Sequence, residues 1–196
     1  MKKNIALMML AAALTACVLQ PIEPPTLYDL GPLRPAAKAL PALPALAVAE
    51  VSVPAWLDRP LMFYRLNYEN DQEPRSYAHS RWVMPPAQLI TQRVKARMAQ
   101  AGSVVLSASD GARNMPLLHI EVDDFTQNFD VPGQSVGRFA LRASVFKEQI
   151  LVAQKSFATQ APAPSADAVG GARALASASD AAIGEMMQWL AGLPLK

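Results

Sequence analysis

A mixed α/β (α+β) fold, with a largely antiparallel sheet and two main flanking helices, follows from three features of the 196-residue sequence. Apolar residues alternate with period two between Leu117 and Phe157. Two stretches, Ile90-Val94-Met98 and Leu175-Ala178-Ala182-Met186-Trp189, repeat at spacings of three and four. Proline and glycine separate these blocks. Period two is the signature of a half-buried strand and 3.6 that of an amphipathic helix, so strands and helices must cover one another.

In chain order, Ala45–Val53 is apolar with β-branched Val48, Val51 and Val53, and reads as a buried strand ended by Pro54. Leu61–Leu66 and Ser76–Val83 read as a hairpin across the polar turn 67–73. Pro85-Pro86 opens a helix, because proline suits the first helical turn, and Gly102 closes it. Arg93, Lys95 and Arg97 on this helix read as a solvated face with snorkelling stems. Val104-Val105-Leu106 is a short strand.

Leu118, Ile120 and Val122 share one face, but Phe125 and Phe129 lie in the opposite register. A bulge near Asp123-Asp124 reconciles them, since one extra residue flips the face. Val131-Pro132-Gly133-Gln134 spells a type II turn. Phe139, Leu141, Ala143 and Val145 return, and Leu151, Ala153, Lys155 and Phe157 follow as a further strand. Ala161–Pro164 reads as a linker, with Ser165 as the cap of the last helix.

The N-terminus sets the compartment. Lys2-Lys3 precede an apolar run from Ile5 to Leu14, then Thr15-Ala16-Cys17, the layout of a secretory signal peptide over 1–16. The run is too short for a transmembrane helix, which needs ~20 residues. Leu14-Thr15-Ala16-Cys17 resembles the bacterial lipobox. That resemblance implies cleavage between Ala16 and Cys17, an S-diacylglycerol and an N-acyl group on Cys17, and, with Val18 rather than aspartate following, the outer membrane. Residues 17–44 hold seven prolines from Pro21 onward and read as a tether, with Thr26–Leu30 as a short strand within it. Residues 45–196 then form a single domain.

Several chemistries are excluded or poorly supplied. One cysteine permits no intramolecular disulfide and no cysteine-rich zinc site. The formal charge of +2 shows no basic cluster and gives no case for nucleic acid. His79 and His119 are 40 residues apart, and His119 alternates onto the polar side of its strand. Asp123 and Asp124 are neighbours on a strand and point to opposite faces unless bulged. Gly133-Gln134-Ser135-Val136-Gly137 has the spelling of a nucleophile elbow but lies in a hairpin. No Walker loop, dinucleotide fingerprint or His-Glu-x-x-His occurs. The expectation is a protein that is not an enzyme and carries no cofactor or metal apart from covalent lipid. Trp56, Tyr64, Arg65, Arg81 and Trp82 form an aromatic and arginine cluster of interface-prone types. An equal alternative has Trp82 packed on the following helix and the arginines paired with Asp58 or carbonyls.

The order Val51-x-Val53-Pro54-x-Trp56-Leu57-Asp58-Arg59-Pro60, Tyr64-Arg65, Tyr77, Ser80-Arg81-Trp82, Pro85-Pro86, Phe129-Asp130-x-Pro132-Gly133-Gln134-Ser135, Phe157 and Trp189-Leu190 resembles the ABC-type transport auxiliary (PqiC-like) lipoprotein family. The resemblance spans roughly 26–192 and implies a fold related to the N-terminal domain of TolB. It implies a non-enzymatic, periplasm-facing role in lipid transport between the membranes, with an MCE-domain protein as partner and the outer membrane as anchor site. Self-association is a further option. The alternative from another class is a structural lipoprotein that assists assembly of an outer-membrane or secretion channel.

Overall fold

The computed structural model describes residues 23–35, 39–111 and 114–195. The signal-peptide segment and Cys17 lie outside these residues. The elements are β1 (Thr26–Tyr28), β2 (Leu46–Val48), β3 (Leu61–Leu66), β4 (Arg75–Trp82), α1 (Pro86–Gln100), β5 (Val105–Ser107), β6 (Leu117–Val131), β7 (Gln134–Lys147), β8 (Ile150–Pro162) and α2 (Ala168–Ala191). The eight strands form one mixed, largely antiparallel open sheet.

Its frame is the meander β6-β7-β8, antiparallel throughout. The other edge of β6 serves two short groups. Its first residues pair in parallel with β2, which pairs with β5. Its last residues pair in parallel with β3, which carries β4 and then β1. The expected bulge is present, because Val122 faces Leu141 while Asp124 faces the next residue back, Ala140. That single offset puts Leu118, Ile120, Val122 and Phe125 together in the core. The loop between β6 and β7 is Pro132-Gly133, and Gly133 has φ +76°, as the third position of a type II turn requires. Glu148 and Gln149, at φ 52° and 68°, close the β7-β8 hairpin with the twist of a type I′ turn.

Both helices cover one face. α2 carries small residues toward the sheet, including Gly171, Ala172, Ala174, Ala178 and Ala182, all buried. The alanine content of the chain thus has a packing use: short side chains let helix and sheet approach closely. Over β6 and β7 the filling is aromatic, with Trp82 tilted against Phe125 and Phe125 edge-to-face with Phe139 at centroid separations of 5.2 and 5.9 Å. Each such pair contributes ~0.5–1.5 kcal/mol beyond its buried area. α1 ends in a Schellman motif, where Ser103 N–H donates to Met98 O and Gly102 N–H to Ala99 O.

Several sequence-based expectations change. The short strand expected at Thr26–Leu30 is present as Thr26–Tyr28, while Leu30 and Leu43, in the segment read as a tether, are core residues. The strand expected over Ala45–Val53 is only Leu46–Val48, plus one bridge from Ser52 to Glu121. Residues Ala161 and Pro162 are not linker but the end of β8. The cap of α2 is Asp167, whose carboxylate accepts the Gly170 N–H at 2.8 Å, while Ser165 Oγ donates to that same carboxylate. Asp167 outcompetes Ser165 because the helix starts at Ala168 and the capping position immediately precedes it.

Candidate functional site

The aromatic and arginine cluster does not form one surface. β3 alternates, so Tyr64 points to the helix side, where it meets Tyr77 at a tilt at 4.7 Å and Phe129 edge-to-face at 6.0 Å. The Tyr77 hydroxyl donates to Gln127 Oε1, and Gln127 Nε2 donates to Ser135 Oγ, each at 2.8 Å. Burial pushes the Tyr77 phenol far above its ordinary value. Arg65 points the other way, with its guanidinium 5.5 Å over the Trp56 ring and a 2.9 Å bond to Asp71 O. Trp82, 2% exposed, is a core residue and offers no contact surface. Arg81 donates to the carbonyls of Tyr77 and Ser80. The packing reading therefore describes Trp82 and Arg81, whereas Trp56 and Arg65 stand on the helix-free face.

That open face is a polar lattice. Arg142 pairs with Glu121 at 2.7 Å and Arg138 with Asp130 at 3.3 Å. Asp124 lies among them. Burial raises its pKa above the ordinary carboxylate value, against the opposing pull of Thr126, Arg65 and Arg138. His119 is exposed and edge-on to Phe146 at 5.3 Å. Ser135 is buried on β7, with no helix following it, so the hairpin context of Gly133–Gly137 does not make a nucleophile elbow. Among the described residues no group of His, Cys, Asp or Glu is arranged to hold a metal ion.

The most developed concavity lies on the other side, between the segment 27–34 and α2. It encloses about 610 Å³ and continues past Asp180 into a neighbouring groove of about 410 Å³. At the junction Arg93 and Arg97 meet Asp180. Arg93 binds both carboxylate oxygens at 2.7 and 2.6 Å, and Arg97 binds them at 3.0 and 2.5 Å. The remaining donors reach the chain's N-terminal segment: Arg93 Nη1 to Gly31 O and Arg97 Nη1 to Arg34 O. These arginines are 6% and 3% exposed, which corrects their reading as a solvated face. The correction has a geometric cause: Arg93 and Arg97 are one turn apart beside the Ile90-Val94-Met98 stripe, so they share the buried α1-α2 seam. Lys95 instead reaches Ser107 Oγ at 2.5 Å. For Asp180, burial raises the pKa, but hydrogen bonds and charge from both arginines outweigh it and hold the carboxyl below its ordinary value. Sequence periodicity missed this cluster because its partners are 83 and 87 residues apart.

Chain-wide comparison matches residues 28–187 to the family model for the ABC-type transport auxiliary lipoprotein component. The chain belongs to that family. No curated protein matches this auxiliary lipoprotein. Its fold is similar to that of a Xanthomonas campestris protein of the DUF330 family, with 21% identity, a TM-score of 0.71, and coverage of 85% of this chain and 95% of that one. An uncharacterised protein gives 15% identity and a TM-score of 0.66, covering 86% and 99%. A PelC subunit from the Paraburkholderia phytofirmans dodecamer gives 14% identity, covering 80% and 93%, but its TM-score of 0.46 is too low to bear on this auxiliary lipoprotein's assembly.

Proposed function

We propose that this auxiliary lipoprotein is held in the outer membrane by acyl chains on Cys17 and docks the periplasmic conduit of an MCE-type lipid transport system. The observation that carries the reading is the family match over 28–187, joined to the lipobox Leu14–Cys17. The mechanism is tethering without catalysis. Two acyl chains anchor stably, since each buried methylene contributes ~0.8 kcal/mol. Among the described residues no helix is long and apolar enough to cross a membrane. The open sheet face with Trp56 and Arg65 is the surface offered to the MCE protein.

Cys17→Ala is expected to move the protein from the outer-membrane fraction to the soluble periplasm. Retention in the outer membrane would overturn the anchor. A photocrosslinker at Trp56 or Arg65 is expected to capture an MCE-domain protein. Capture of a secretin or barrel subunit instead would favour the channel-assembly role.

A further inference from the structure

The large groove opens among three exposed aliphatic side chains: Leu27 at 59%, Val83 at 45% and Val169 at 38%. Scattered exposed apolar residues are ordinary, but these three converge on the rim of one concavity. Two arginines share that rim. Arg34 and Arg173 are exposed, and neither makes a salt bridge or side-chain hydrogen bond among the described residues. Arg34, Arg93 and Arg173 outnumber the two acids lining the groove: Asp180 is taken by Arg93 and Arg97, while Asp29 accepts the Gly31 N–H. The mouth therefore presents apolar side chains beside an excess of positive charge.

We infer that this mouth is a membrane-contacting surface, with Leu27, Val83 and Val169 resting on the lipid leaflet and Arg34 and Arg173 facing its phosphate headgroups. The inference rests on the reading of Cys17 as the anchor. Eight residues, 18–25, separate Cys17 from β1, and the nine steps from Cys17 to Thr26 reach about 30 Å when fully extended at ~3.3 Å each. The groove is at the root of this tether, since Leu27 and Tyr28 line it. The rival apolar patch, Ile150-Leu151-Val152, sits at the opposite end of β8 from Pro162, which also lines the groove. Ten to twelve strand steps of ~3.3 Å put that patch about 33–40 Å from the groove, far from the root of the tether. Tether length and charge complementarity thus select the same surface.

The test couples the chain 17–196 through its single cysteine to maleimide-phosphatidylethanolamine in phosphatidylethanolamine/phosphatidylglycerol vesicles, followed by hydroxyl-radical footprinting. Coupling is expected to slow oxidation of Leu27, Val83 and Val169 at least threefold and to leave Ile150 and Leu151 unchanged. In a Leu27→Asp/Val169→Asp variant the protection of Val83 should vanish. Arg34→Glu/Arg173→Glu should weaken protection on these vesicles, whereas phosphatidylcholine vesicles should protect the parent less. Unchanged rates at the three residues, or protection at Ile150–Val152 instead, would overturn the surface. Protection indifferent to the arginine variant would overturn the headgroup contact. The coupled lipid supplies the anchor in this experiment, so failure here is separable from failure of Cys17→Ala in cells.

Discussion

Asp180→Asn is expected to destabilise the protein by about 3–5 kcal/mol, because removing one member of a buried ion cluster leaves uncompensated charge behind. The loss is larger in kind than for an ordinary pair: one carboxylate is shared bidentately by Arg93 and Arg97, and without it two buried guanidinium groups face each other. For a domain of this size each kcal/mol shifts the melting temperature by roughly 2–4 °C, so a fall on the order of 10 °C is expected by calorimetry at pH 7. A shift under 2 °C would show that the cluster does not stabilise the fold. The pH dependence supplies a second readout. The Asp180 carboxyl is lowered in the folded state, so its contribution is complete above the ordinary carboxylate value and disappears as pH falls through the lowered one. Asp124 is raised and works in the opposite sense, its share being lost as pH rises. Subtracting the variant's pH curve from the parent's therefore isolates Asp180. The difference should shrink toward strong acid. The same substitution should expose 31–35 to protease, since Arg93 and Arg97 hold the carbonyls of Gly31 and Arg34.

The fold was legible where a local rule governs it. Pro132-Gly133 announces its turn, because only a residue tolerant of positive φ fits the third position. The phase slip between Val122 and Phe125 announces the bulge, because the side-chain period of two cannot otherwise place both in one core. Pairing between distant elements was not legible. Thr26–Leu30 reads as a short strand on its own, but its place beside β4 is set by contacts some 54 residues away in sequence. Tyr64 and Arg65 are adjacent in sequence, so strand alternation sends them to opposite faces, but which face the helices cover is decided by α2. Trp82 and Arg81 are split likewise. One signal for the buried cluster was present: Arg93 and Arg97 at a four-residue spacing beside an apolar stripe, together with Asp180 in the alanine- and serine-rich run 174–182. A composition rule alone assigns such arginines to solvent.

Gly137→Val is expected to cost ~3 kcal/mol, the upper part of the usual range for overpacking. A Cβ at Gly137 would stand 2.6 Å from the Ala174 carbonyl carbon and the Leu175 nitrogen, and 2.9 Å from Ala174 Cβ. Two of those atoms are helix backbone and the third is a Cβ fixed to it, in the second turn of α2, so no side chain can swing aside. The helix must lift from β7, and the buried Ala178 and Ala182 further along would lose their sheet contacts as it rises. The contrast is Gly184 in the same helix, where a Cβ would meet only Leu40 Cδ2 at 3.5 Å. Gly184→Ala is expected to stabilise by up to ~1 kcal/mol through helix propensity. Urea unfolding of both variants reads the two effects with opposite signs. If Gly137→Val matched the parent, the close approach of α2 would not be set by this residue. That approach matters beyond stability, because α2 carries Asp180 and, with the segment 27–34, forms the groove. A lifted helix should therefore also weaken the Arg93 and Arg97 clamp and raise proteolysis at 31–35.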